Sequence, residues 1–184
     1  MRRIIALSLA ATAVFGLTAC STSTTMDHTG HPTQSATADF SSADLMFAQM
    51  MIPHHEQAVD MSYLALANTQ NADVRALAES IITHQSTEVM TLKSWLETAG
   101  VTPDVSHSML MQGMLTDAQL AELEAAKDGA FDKLWLTGMI AHHEGALLMA
   151  EEVKNSTNAE VAEFASHVIE DQTAEIKKMK DLLG

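Results

Sequence analysis

The chain has 184 residues and one cysteine, Cys20, so no intrachain disulfide can form and any folded body must hold together by packing. It has little positive charge. Ten Lys and Arg stand against 24 Asp and Glu, a net charge of −14, which repels nucleic acid and anionic lipid surfaces and attracts cations. Aromatic residues are few, with five Phe, two Trp and one Tyr, while methionine reaches thirteen. There is no serine elbow, no glycine-rich phosphate loop and no second cysteine, so nothing points to nucleophilic or hydrolytic catalysis, and we expect no enzymatic activity.

The first nineteen residues have the form of an export signal. Arg2 and Arg3 precede an apolar run from Ile4 to Leu17, too short to span a bilayer comfortably. Leu17-Thr18-Ala19-Cys20 then matches the bacterial lipobox, so Cys20 is expected to carry lipid and anchor an extracytoplasmic protein to the cell envelope. Cleavage before Cys20 removes two arginines and no acid, taking the charge to 8 − 24 = −16. Residues 20–39 are rich in Ser, Thr, Gly, Pro and Gln and read as a flexible tether. Met26, His28 and His31 lie within it.

A folded domain is expected over residues 40–184, long enough for a single core. Ser41-x-x-Asp44 offers a helix cap, and from Leu45 to Leu66 the apolar residues recur at helical spacing. Asn68 to Asn71 punctuates. Val74, Leu77, Ala78, Ile81, Val89, Leu92 and Leu96 continue at steps of three and four, completing an αα-hairpin. Gly100, Pro103 and Gly113 then interrupt a linker that holds His107, Met109, Met111 and Met114, and Thr116-x-x-Gln119 opens a short helix over about 117–127.

The first pattern then returns. Residues 51–61 (MIPHHEQAVDM) and 139–149 (MIAHHEGALLM) agree at 7 of 11 positions at an offset of 88. After a one-residue deletion the second helices align at an offset of 87, with Gln85-x-x-Glu88 answered by Gln172-x-x-Glu175. One hairpin, about 41–99, is thus repeated over about 128–184. Each alone would leave an apolar stripe in water, so the two are expected to pack as an all-α antiparallel four-helix bundle with approximate two-fold symmetry.

The candidate metal residues follow from this repeat. At about 100° per residue, Asp44, Met51 and His55 share one stripe, as do Asp132, Met139 and His143. His54 and His142 point about 100° away, toward Met50 and Met61 in the first copy and Met149 in the second. Glu88 and Glu175 lie on the facing helices, and His84-x-x-x-Glu88 adds an imidazole in the first copy only, since its counterpart is Asp171. Thioether sulfur selects Cu(I) and Ag(I), and imidazole suits copper among other transition metals. Methionine also fills gaps between helices, and adjacent histidines can serve a buried structural network, so ligand and scaffold roles both stand at this point. Pro53 removes one helical hydrogen bond and should kink the first helix; Ala141 stands in its place in the second copy.

MIPHHEQAVDMS and MIAHHEGALLMA, each followed by a Gln-x-x-Glu helix, with Phe131-Asp132-x-x-Trp135-Leu136 leading into the second, resemble the bacterial domain of unknown function 305 family. The resemblance spans about 39–184. It implies a ferritin-like four-helical bundle, export or lipid anchoring, and kinship with copper-binding proteins that use Met and His ligands. Gly138 departs from the pattern, standing where the first copy has Met50. The expected function is copper binding at the envelope for buffering, storage or resistance. The alternatives are a ferritin-like di-metal or haemerythrin-like enzyme, and an interaction module knit by a His–carboxylate network.

Overall fold

The computed structural model describes residues 39–102 and 111–184. The export signal, the lipidation candidate Cys20, the tether residues Met26, His28 and His31, and His107 and Met109 of the linker lie outside the described residues. Five helices follow one another: α1 (Ser42–Asn68), α2 (Ala72–Thr98), α3 (Asp117–Ala125), α4 (Asp128–Val153) and α5 (Ala159–Leu183). Among the described residues there is no strand, and no helix is long and apolar enough to cross a membrane.

Four of the five helices begin where side chains satisfy their first amides; the Lys127 cap of α4 makes no such bond. Ser41 Oγ accepts from the Asp44 amide at 3.2 Å, and Asp44 Oδ2 accepts from the Ser41 amide at 2.8 Å, closing a reciprocal cap on α1. Thr116 and Gln119 do the same for α3. Asn71 and Asn158 open α2 and α5, each Oδ1 accepting from two backbone amides. Their correspondence extends the internal repeat to the caps. α1 runs unbroken through Pro53, so the lost hydrogen bond remains a local defect within 27 helical residues.

α1 packs on α2 and α4 on α5, forming two hairpins, and the hairpins join chiefly through α1 against α4. α3 lies across α1 and α4. On the opposite side Trp95 bridges α2 to α5: its Nε1 donates to Glu160 Oε1 at 2.8 Å and its ring meets Phe164 edge-on, centroids 5.1 Å apart.

The apolar interior is divided. One cluster gathers Phe47, Met51, Ile52, Leu92 and Trp95 from the first hairpin with Ala146, Val153 and Val161 from the second. The other gathers Met61, Val74, Leu77 and Ile81 with Phe131, Trp135, Met139 and Met179. The repeat exchanges them, because Phe47 corresponds to Trp135, Met51 to Met139 and Leu92 to Met179. Two apolar ends related by pseudo-symmetry therefore enclose a middle layer, and that layer is polar.

Candidate metal centre

The middle layer contains both His-His pairs, entirely inside the protein. His54, His55 and His143 are 0% exposed and His142 is 1% exposed. Adjacent imidazoles can both be buried because α1 and α4 each have neighbours on two sides. His54 and His142 turn toward each other across the α1–α4 contact, ring centroids 3.8 Å apart and planes inclined by 41°. They occupy equivalent positions in the repeat, so the pseudo-two-fold axis passes between them.

His55 and His143 instead face their own hairpin partners. His143 Nε2 is hydrogen-bonded to Glu175 Oε2 at 2.7 Å. His55 Nε2 lies 2.9 Å from Glu88 Oε2, close enough for an ion pair but without the alignment of a hydrogen bond. Gln85 and Gln172 complete the layer, buried at 2% and 3% exposure with no partner for either amide atom. The Glu that follows each His-His pair takes no part, since Glu56 and Glu144 form exposed ion pairs with Lys93 and Lys180.

Burial holds the central pair neutral. The cost of desolvating a cation pushes the His54 pKa down from 6.5 to about 3, with the neighbouring His55 adding to the effect and the Gln112 carbonyl opposing it. His142 is held well below the usual histidine range, first by burial and then by His54, His143 and His55. A neutral imidazole keeps one ring nitrogen lone pair free. His54 Nδ1 and both nitrogens of His142 have no hydrogen-bond partner. Unpartnered buried polar atoms are costly, and every such side-chain atom among the described residues, apart from Asp132 Oδ1, lies in this layer.

The methionines surround it unevenly. Met51 and Met139 are fully buried one turn before His55 and His143. Met61 is also fully buried and reaches α4, its terminal methyl lying 3.5 Å from where a Cβ on Gly138 would sit, one turn before His142. Met149 is partly buried against the first apolar cluster. No three His, Cys, Asp or Glu side chains among the described residues are gathered to hold one metal ion. The described residues therefore do not present the carboxylate-rich set of a di-iron centre.

Other sequence candidates lie elsewhere. Asp44 is buried but occupied in capping α1, and Asp132 Oδ2 accepts from Asn71 Nδ2 at 3.0 Å. Each precedes its histidine pair by ten and eleven residues, about 16 Å along a helix, so the structure does not bring either aspartate to the imidazoles. The shared stripe was real, but distance along the helix axis separates its members. His84 is exposed on α2 and lies outside the layer.

The linker contributes groups that the repeat could not reveal. His54 Nε2 lies 3.3 Å from the Gln112 carbonyl oxygen. Gln57 secures the same segment to α1: its Nε2 donates to the Leu115 carbonyl at 3.0 Å and its Oε1 accepts from the Leu115 amide at 2.8 Å. Gly145, the counterpart of Gln57, leaves room on α4, where a Cβ would stand 1.9 Å from the Gln112 oxygen and 3.2 Å from His54 Nε2. Gly113 has φ +87°, and a Cβ there would meet the Ala141 carbonyl oxygen at 2.3 Å. Met111, which is buried, and Met114, which is partly buried, belong to the same segment as this carbonyl.

The sequence matches the domain of unknown function DUF305 over residues 44–183. The chain belongs to the DUF305 family. A DUF305 protein of Streptomyces coelicolor is 31% identical with a TM-score of 0.72, the alignment covering 81% of this chain and 94% of that one. A DUF305 fragment from Deinococcus radiodurans is 29% identical with a TM-score of 0.72, covering 78% and 97%. CopM in its Cu(I)-bound form is 32% identical with a TM-score of 0.65, covering 76% and 94%. CopM has also been solved in Cu(II)-bound, Ag-bound and apo forms. No curated relative matches this DUF305 chain in sequence.

Two predictions follow from this geometry. Gly145→Ala should lower stability by about 1–3 kcal/mol in urea unfolding, because the new methyl displaces the Gln112 carbonyl, whereas Gly129→Ala, with open space around it, should be neutral or slightly stabilising. Equal effects of the two changes would contradict the packing account. Nitrogen-15 NMR of the metal-free protein should find two imidazoles still neutral at pH 5; titration of every histidine near pH 6.5 would contradict their burial. The linked stability has a definite sign. Below pH 6.5 the unfolded chain takes up protons that folded His54 and His142 refuse, so these groups lower stability as pH falls from 6.5 toward about 3.

Proposed function

We propose that this protein binds copper, chiefly as Cu(I), in the middle layer of its bundle, and serves as a metal buffer or store at the cell envelope rather than as an enzyme. One observation carries the reading: two buried, neutral imidazoles, His54 and His142, meet with unpartnered ring nitrogens under a methionine-bearing segment. A monovalent soft ion suits such a place. It accepts few ligands, prefers nitrogen and thioether sulfur, and brings less charge into a desolvated interior than a divalent ion would. CopM, 31–32% identical to this chain, is described in forms bound to Cu(I), Cu(II) and Ag, which supports the same ion class here.

In this reading His54, His142 and Met61 supply ligands, with Met51, Met139 and Met149 as further thioethers. His55 and His143 are oriented by Glu88 and Glu175 and support the layer. The envelope location rests on the lipobox ending at Cys20. Lipid there would hold an acidic domain at a membrane that its charge alone would avoid.

Two measurements test these statements. Excess Cu(I) should raise the melting temperature of the mature protein, since a ligand bound only to the native state at one hundred times its dissociation constant adds about 2.7 kcal/mol. A folded His54→Gln, His142→Gln, Met51→Leu, Met61→Leu variant, its helix content checked by circular dichroism, should lose that shift; an undiminished shift would refute the site. Cys20→Ser should move the exported protein from the membrane fraction to the soluble fraction. Persistence in the membrane would exclude lipid anchoring at that residue.

A further inference from the structure

The side of the bundle opposite the stacked histidines carries a second set of metal-ligating groups that the internal repeat does not predict. Trp95 and Glu160 fix the antiparallel register of α2 against α5 through their 2.8 Å hydrogen bond. Moving along both helices in matched steps of four, three and four residues brings Thr91 opposite Phe164, Glu88 opposite His167, and His84 opposite Asp171. All six residues line one surface groove of about 280 Å³. On each helix an imidazole and a carboxylate stand one turn apart, and across the groove each imidazole faces a carboxylate.

The pattern arises from divergence between the two hairpins. His84 corresponds to Asp171, and His167 corresponds to Ser80. The pseudo-two-fold axis that separates His54 from His142 emerges here between His84 and Asp171, where exact symmetry would have paired like with like. Unlike groups face each other instead, giving two imidazoles and two carboxylates around one opening.

We infer that this groove is a separate binding site for a borderline divalent cation of the Zn(II) or Cu(II) class, held by His84, His167, Asp171 and Glu88. Nitrogen and oxygen donors without thioether suit such ions. His84, His167 and Asp171 are exposed, and as the side chains stand no three of the four donors converge on one point; binding therefore requires rotation of the exposed side chains toward the ion. Glu88 is the partly buried donor of the four. Its Oε2 also lies 2.9 Å from buried His55 Nε2, so a single carboxylate separates the groove from the inner layer. The inference is independent of Cu(I) binding inside the bundle.

Isothermal titration of the mature chain with Zn(II) tests it, using His84→Ala, His167→Ala as the variant because both positions are exposed and neither touches the inner imidazoles. Glu88 is left unchanged because of its contact with His55. The variant should lose one equivalent of Zn(II), or bind it at least tenfold more weakly, while keeping its thermal response to Cu(I). His54→Gln, His142→Gln should retain the same Zn(II) equivalent. His28 and His31 are common to all these proteins and cannot account for a difference. Identical Zn(II) isotherms for wild type and the His84/His167 variant, or no Zn(II) uptake by wild type, would overturn the proposal.

Discussion

Burying four imidazoles in one layer is the constraint around which this bundle is arranged. A buried polar ring must be neutral, paired or bound, and the four satisfy that demand differently. His55 and His143 turn outward to Glu88 and Glu175, carboxylates that remain partly in contact with water. His54 and His142 have only each other, one carbonyl, and nitrogens without partners. The apolar residues are accordingly confined to two clusters at the ends. Filling the middle with leucine would build a simpler core, so the polar layer costs stability, and the proposed copper ion would give its unpartnered nitrogens a partner.

Duplication brings the pairs together, and the departures from it make the two halves unequal. Gln57 and Gly145 occupy equivalent places beside the histidines, yet one grips the linker through two hydrogen bonds and the other makes way for it. The linker can cover one side of the stacked pair only, and it approaches His54. The symmetric frame therefore supplies two imidazoles, while its exceptions give them distinct surroundings.

Helical periodicity made the fold legible because all four long helices bury regular stripes, and three of them, α1, α2 and α5, open on side chains suited to capping. The 88-residue offset led directly to paired hairpins and to the histidines. Angular position alone misled for Asp44 and Asp132, which share a stripe with His55 and His143 but sit at the helix starts, where capping and the Asn71 contact engage them. The facing of His54 and His142 required knowledge of which helices cross, information that no single helix carries. Gly113 read only as a break in the linker and Gly145 drew no separate reading, because their purpose depends on a close backbone approach that residue spacing cannot express. His167 stands outside the repeated histidine pairs, and it gains meaning only from the α2–α5 register.

X-ray absorption at the copper edge gives the most direct view of the inner layer. Mature protein loaded with one equivalent of Cu(I) should yield a low-coordinate spectrum containing both imidazole nitrogen and thioether sulfur, and His54→Gln, His142→Gln should remove the imidazole scattering. A first shell made only of oxygen and nitrogen, or imidazole scattering unchanged in that variant, would contradict a copper site built on the stacked histidines.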